Sequence, residues 1–232
     1  MIRSHLIVIG AMKAASTTLA AALRRHPEIV HGRVKELRYF DEGWKGPEGY
    51  DALFVPIPED RDVVTLDATP RYAKTQRWPE TPRRIARLRR PVHLVFILRD
   101  PVERALSHMR HSIGKGRRQA GQPVLVPRHM IDASRYSEQI AAYEAAGLGD
   151  RLLLLDFEAV CRDLEGSVAA VCRHAGLPPI ALDEPIHENA TTRVPASATE
   201  GLDLEALRAA LAGEGERLAT RHGFEPARRW SV

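Results

Sequence analysis

Four short aliphatic runs stand out along the chain, at Leu6–Ile9, Val63–Leu66, Val92–Leu98 and Leu152–Leu155. Each is bounded by polar residues and lacks the alternation of a half-wetted strand, so the pattern predicts strands buried on both faces. Elsewhere the apolar positions recur at spacings of three and four. That period predicts helices over Thr17–Arg25, Pro82–Leu88, Pro101–His111, Ser134–Ala146, Glu158–Ala175 and Leu202–His222, with Gly176 and Gly223 as C-terminal stops. Strands that alternate with helices bury themselves as a parallel sheet covered on both sides, so the expected fold class is α/β, three layers around a central parallel sheet.

With 232 residues, 44% hydrophobic and 28% charged, the chain suits one globular domain over 1–232, without repeats or low-complexity segments. Leu6–Ile9 is closed by Gly10 and followed by Lys13, too short a run for a signal-peptide core or a membrane span, so the expected setting is soluble and cytoplasmic. Cys161 and Cys172 fall in one predicted helix. Their separation along it, about 16 Å of rise, exceeds a disulfide's reach, and free thiols fit a reducing compartment. The ten histidines are scattered and nothing shows zinc-site spacing, so no metal is expected.

A formal charge of +4 favours anionic partners without choosing among them. The densest basic run, Arg83, Arg84, Arg87, Arg89 and Arg90, reads as a solvated helix face. Aromatic content of 6% leaves few stacking platforms, and no nucleic-acid motif appears, so no nucleic-acid partner is expected. The glycine-rich stretch Gly114–Pro127 reads as a surface loop, either an active-site lid or a plain connection.

The chemistry begins where the first strand runs into Gly10-Ala11-Met12-Lys13-Ala14-Ala15-Ser16-Thr17-Thr18 and a helix follows. Unpaired amides at a helix start, flanking hydroxyls and the positive end of the macrodipole suit a phosphate or sulfate. A nucleoside-triphosphate loop needs Gly-Lys directly before Ser or Thr, whose hydroxyl binds magnesium. Here Ser16 precedes Thr17, and the lysine lies three residues earlier. A second constellation closes the third strand, where Arg99-Asp100-Pro101 leads into a helix carrying Ser107 and His111 on one face. A guanidinium at the carboxyl end of such a strand can grip phosphate bidentately.

These segments resemble the PAPS-dependent sulfotransferases (PAPS, 3′-phosphoadenosine 5′-phosphosulfate), particularly the heparan-sulfate-type and related bacterial enzymes. Their first loop reads Gly-x-x-Lys-x-Gly-Thr-Thr-Ser/Thr, and their 3′-phosphate segment Leu-Arg-Asn/Asp-Pro-x-x-Arg-Ala-x-Ser. The resemblance implies a P-loop-like sulfotransferase fold that takes PAPS as co-substrate and releases PAP (adenosine 3′,5′-bisphosphate) without a metal. It implies donor binding by Lys13, Ala14, Ala15, Ser16, Thr17 and Thr18, with Ala15 standing where the family usually has glycine. Arg99 and Ser107 would bind the 3′-phosphate, and Lys13 would stabilise charge on the bridging oxygen.

Lys35-Glu36-Leu37-Arg38-Tyr39-Phe40-Asp41 is similar to the family's Lys-Glu-x-x-Phe/Tyr-Phe-Asp segment, which implies Glu36 as general base and Lys35 beside it in the substrate site. Asp67-Ala68-Thr69-Pro70-Arg71-Tyr72 resembles a segment lining the acceptor cleft, so Asp67, Thr69 and Tyr72 are expected to line it. Ala68 replaces a second active-site lysine of the animal enzymes. Residues 187–193 stand where relatives close a loop over the nucleotide, making Arg193 a candidate phosphate ligand. Trp44, Tyr50, Phe54 and Trp78 are candidate walls of the acceptor cleft. The implied acceptor is a hydroxyl or amine of a small molecule or carbohydrate. The alternatives are a P-loop kinase or other phosphotransferase using magnesium-ATP, and a non-catalytic polyanion-binding module.

Overall fold

The computed structural model describes residues 1–116, 125–183, 186, 199, 201–230 and 232. Five strands, β1 (Ile2–Gly10), β2 (Ile29–His31), β3 (Val63–Ala68), β4 (Val92–Leu98) and β5 (Leu152–Asp156), form one parallel sheet in the order β2-β3-β1-β4-β5. β1, β3 and β4 hold the expected aliphatic positions in the core, with Leu6, Ile7, Val8 and Ile9 fully buried between β3 and β4.

β2 was not expected. It is three residues long, pairs with β3 only, and its outer residue His31 is exposed. β1 also begins four residues earlier than the apolar run, because the polar Ser4 and His5 are buried too. His5 is satisfied there by Thr65 Oγ1, 2.7 Å from Nδ1, and by Asp51 Oδ1, 3.3 Å from Nε2.

The helices are α1 (Ser16–Leu23), α2 (Thr81–Ala86), α3 (Pro101–Gly114), α4 (Arg128–Asp132), α5 (Tyr136–Ala145), α6 (Phe157–Arg162), α7 (Leu164–His174), α8 (Leu204–Leu211) and α9 (Glu214–His222). Two long expected helices are each broken in two. Asp163 leaves helical geometry at φ −139° and caps α7 by accepting from the Gly166 amide. Gly213, at φ 75°, separates α8 from α9. Cys161 and Cys172 therefore lie in different helices, contrary to expectation, and both are free thiols, the first exposed and the second buried.

Of the Gly114–Pro127 loop, Gly114 closes α3 and residues 117–124 lie outside the described residues. Among the described residues no helix is long and apolar enough to cross a membrane.

Candidate active site

In a parallel sheet the ligand-bearing loops leave the carboxyl ends of the strands, and the sequence-identified segments gather there. β1 ends at Gly10, which packs so tightly that an added Cβ would sit 2.8 Å from both Ala73 and Phe96. The next residues turn through two left-handed positions, Lys13 at φ 71° and Ala15 at φ 60°. Alternation of this kind points successive amides into a concavity suited to an anion. Ala15 occupies the N-cap of α1 and offers no side-chain cap, whereas Asp100, Asp156, Asp163 and Asp203 cap α3, α6, α7 and α8. The first amides of α1 are thus left to a ligand. Ala14 and Ser16 are buried in the turn, and Thr17 and Thr18 are half-buried beside it.

β4 neighbours β1, and Arg99 follows its last residue. Its Nη1 donates to the main-chain carbonyl of Lys13 at 3.3 Å, while its Nε is buried without an acceptor. The guanidinium lies 4.5 Å from the Phe157 ring centroid, and Tyr136 Oη donates to the Arg99 carbonyl at 3.0 Å. Glu103 Oε2 stands 3.7 Å from Nη2, at the edge of ion-pair contact. Asp100 takes no part in that pair, since its Oδ1 accepts from the Val102 and Glu103 amides, each at 2.9 Å. Burial first, then the charges of Arg99 and Lys35, push the Lys13 amine below the ordinary lysine range. Lys13, Arg99 and Lys35 crowd together with only Glu103 at the edge of contact with Arg99, which makes the pocket part-buried and electropositive. An orphaned guanidinium nitrogen and free helix amides fit a doubly phosphorylated ligand. Ser107 is half-buried on α3, and Arg193 lies outside the described residues.

Beside the loop, a cleft takes Ser16, Thr17 and Ala20 from α1, Lys35 and Glu36 from the segment after β2, and Ala68 and Pro70 from the end of β3, with Arg24 at its rim. Glu36 is held at φ 86°. Burial raises its carboxyl above the usual range, opposed by the charges of Lys35, Arg71 and Arg38. Lys35 is exposed.

Asp67, Thr69 and Tyr72, expected to line the acceptor cleft, lie beneath it instead, 1%, 0% and 0% exposed. The cause is the register of β3, which sets Asp67 against Ile7 in the sheet interior. Thr69 Oγ1 donates to Asp67 Oδ1 at 2.6 Å, and Tyr72 and Tyr50 donate to Oδ2 at 2.9 and 3.2 Å. Tyr50 and Phe54 are likewise core residues and form no cleft wall. Trp78 is half-buried, with the guanidiniums of Arg71 and Arg77 4.3 and 4.7 Å from its ring centroid.

Two further cations were missed from sequence. Arg24 reaches the cleft because Thr17, Ala20 and Arg24 follow the three- and seven-residue spacing of one helix face, a signal that was readable. Lys74 is half-buried, and its amine is lowered to about 8 by burial and by Arg104, Arg71 and Arg77, against the pull of Glu36. Nothing local marks it.

A model of the sulfotransferase family matches residues 53–181, more than half of the chain. The chain belongs to the sulfotransferase family. The matched stretch holds the Asp67–Tyr72 and Arg99–Ser107 segments, and the Lys13 loop and Glu36 precede it. Among similar proteins, the membrane-associated sulfotransferase kil1 of Dictyostelium discoideum is 34% identical over 122 residues, 52% of this chain and 25% of that protein. Heparan sulfate glucosamine 3-O-sulfotransferase 3A1 of Mus musculus is 29% identical over 202 residues, 82% of this chain and 50% of that protein. The chain thus spans a quarter to a half of these relatives' lengths. The crystal structure of a sulfotransferase from Alicyclobacillus acidocaldarius covers 98% of this chain and 99% of its own at a TM-score of 0.74 and 22% identity. The shared architecture is the P-loop-like sulfotransferase fold.

Proposed function

We propose that this sulfotransferase moves a sulfuryl group from PAPS to a hydroxyl or amine of a small-molecule or carbohydrate acceptor. The observation that carries this reading is the hydrogen bond from Arg99 to the Lys13 carbonyl, which joins the end of β4 to the loop after β1. Two separate basic segments thereby face one space, as the two phosphate ends of a 3′-phosphorylated adenosine require.

The loop amides and the hydroxyls of Ser16, Thr17 and Thr18 hold the 5′-phosphate end, and Arg99 with Ser107 takes the 3′-phosphate. Glu36 removes the acceptor proton as the acceptor's oxygen or nitrogen bonds to sulfur and the donor's bridging S–O bond breaks. The released electron pair settles on the phosphate oxygen, where the Lys13 ammonium stabilises the developing charge. A raised carboxyl pKa suits Glu36 to proton abstraction near neutral pH. Ala68 faces the cleft where a second lysine stands in the animal enzymes; the cations lining the cleft are Lys35 and Arg24, and Lys74 is near enough to Glu36 to feel its charge.

The test compares thermal stabilisation by PAP with that by magnesium-ATP, since a ligand that binds the native state raises its stability. PAP is expected to raise Tm by several degrees, with magnesium-ATP far less effective. The reverse order would favour a phosphotransferase and overturn the proposal. Sulfuryl transfer from PAPS to a panel of phenols, amines and N-sulfated oligosaccharides then identifies the acceptor class.

A further inference from the structure

Asp67 has no place in the reaction just described, yet three consecutive backbone amides next to Glu36 converge on it. The Leu37 amide lies close enough to the Asp67 carboxylate to favour its ionised form. The Arg38 amide donates to Thr69 Oγ1 at 3.5 Å, and that hydroxyl in turn donates to Asp67 Oδ1. The Tyr39 amide donates to Tyr72 Oη at 2.9 Å, and that hydroxyl donates to Asp67 Oδ2. The residues flanking Leu37 are left-handed, Glu36 at φ 86° and Arg38 at φ 53°, a conformation costly for side chains with a Cβ. Left- and right-handed positions in alternation make an anion-binding concavity, and here the anion is supplied by the protein itself.

We propose that Asp67 is a positioning residue, whose carboxylate gathers the amides of residues 37–39 onto β3 and so holds Glu36 in the strained turn from which it faces the cleft. Three tyrosines surround the carboxylate: Tyr50 and Tyr72 donate to it directly, and Tyr143 Oη bonds to the Tyr72 carbonyl at 3.0 Å. Burial drives all three phenols upward, so they stay protonated donors. The strain therefore has a structural counterweight. A carboxylate accepts every hydrogen bond offered, whereas an amide in its place turns an NH2 toward hydroxyls already oriented to donate. The role of Glu36 as base rests on the sulfuryl-transfer reading, but the tethering of its turn does not.

The experiment pairs two readouts on Asp67→Asn and Tyr72→Phe. Hydrogen exchange at the Leu37, Arg38 and Tyr39 amides should speed up at least tenfold in Asp67→Asn, with the β4 amides of Val95 and Phe96 unchanged. Tyr72→Phe, which keeps the ring packed, should release Tyr39 selectively. Turnover with PAPS and an N-sulfated heparan oligosaccharide or 4-nitrophenol as acceptor should show kcat down at least tenfold and KM for PAPS within twofold. Unchanged exchange at residues 37–39 overturns the tether, and faster exchange with normal kcat overturns its bearing on Glu36. A wild type inactive on every acceptor sinks the sulfuryl-transfer reading instead, and the exchange data then decide the tether alone.

Discussion

Arg99 on one strand end and Lys13 on its neighbour's loop are joined by a hydrogen bond from guanidinium to main-chain carbonyl, 3.3 Å long. One guanidinium nitrogen is thus spent on fixing the loop, and the buried Nε is left without an acceptor of its own. Arg99→Ala should remove a charge-assisted contact worth about 1.5–3 kcal/mol, weakening PAP about 10- to 100-fold. Isothermal titration with PAP measures this. Equal affinity in the variant would mean that the arginine only buttresses the loop.

Lys13→Ala is expected to act on chemistry more than on binding. A preorganised cation at the site of developing charge contributes roughly 10²–10³ in kcat. Steady-state kinetics should therefore show a large fall in kcat beside a smaller change in PAP affinity.

Glu36 gives a pH signature. Its carboxyl is raised by burial, so the ionised base disappears at a higher pH than for an exposed glutamate near 4.3. Activity should rise with pH through this raised value. Glu36→Gln should lose about 10²–10⁴ in kcat/KM and flatten the acid limb. Retention of the limb in the variant would assign it to another group.

Ala15 is held at φ 60°, where a Cβ is unwelcome. Ala15→Gly should stabilise the fold by about 1 kcal/mol, a rise of about 2–4 °C in Tm for a domain of this size. Differential scanning calorimetry without ligand checks it. A fall in Tm would show that the turn tolerates alanine without strain.

Two buried histidines predict loss of stability in acid. Burial, opposed by Asp51, lowers His5 to about 4, and burial with the nearby charge of Arg104 lowers His108 to about 2. Both values lie below the unfolded one of 6.5, so the unfolded chain takes up protons first. The stabilisation is complete above pH 6.5 and declines as pH falls toward the folded values, by about 2 kcal/mol per histidine at pH 5. Asp67 opposes this: burial raises it to about 6 from 3.8, so its ionisation lowers stability between those values. The two histidines outweigh the one aspartate. Urea unfolding at pH 7 and pH 5 should show a lower midpoint at pH 5, and equal midpoints would contradict the assignment.

Local signals explain what was legible beforehand. The run Val92–Leu98 and the Asp100-Pro101 start of α3 carry their meaning within a few residues, and both stand where the pattern put them. β2 did not, because three residues ending in an exposed histidine form a strand only when β3 lies alongside. The breaks at Asp163 and Gly213 bore ordinary cap signals that the continuing apolar period outweighed. At the site, Lys13, Glu36 and Arg99 were identifiable by motif. The burial of Asp67, Thr69 and Tyr72 was not, since hydrophilic side chains read as surface until their hydrogen-bond partners are known. Those partners are far off in the chain: Tyr50 lies 17 residues from Asp67, and the Tyr39 amide 33 from Tyr72.

The strand order divides the labour of the sheet. Lys13 and Arg99 leave β1 and β4, whereas Glu36 and the Asp67 assembly belong to β2 and β3 on the other flank. In the proposed reaction, nucleotide recognition and proton abstraction rest on different strand pairs, joined by the β1–β3 ladder. Grafting residues 29–72 from a relative onto this scaffold would exchange acceptor preference while leaving the donor half's own contacts in place.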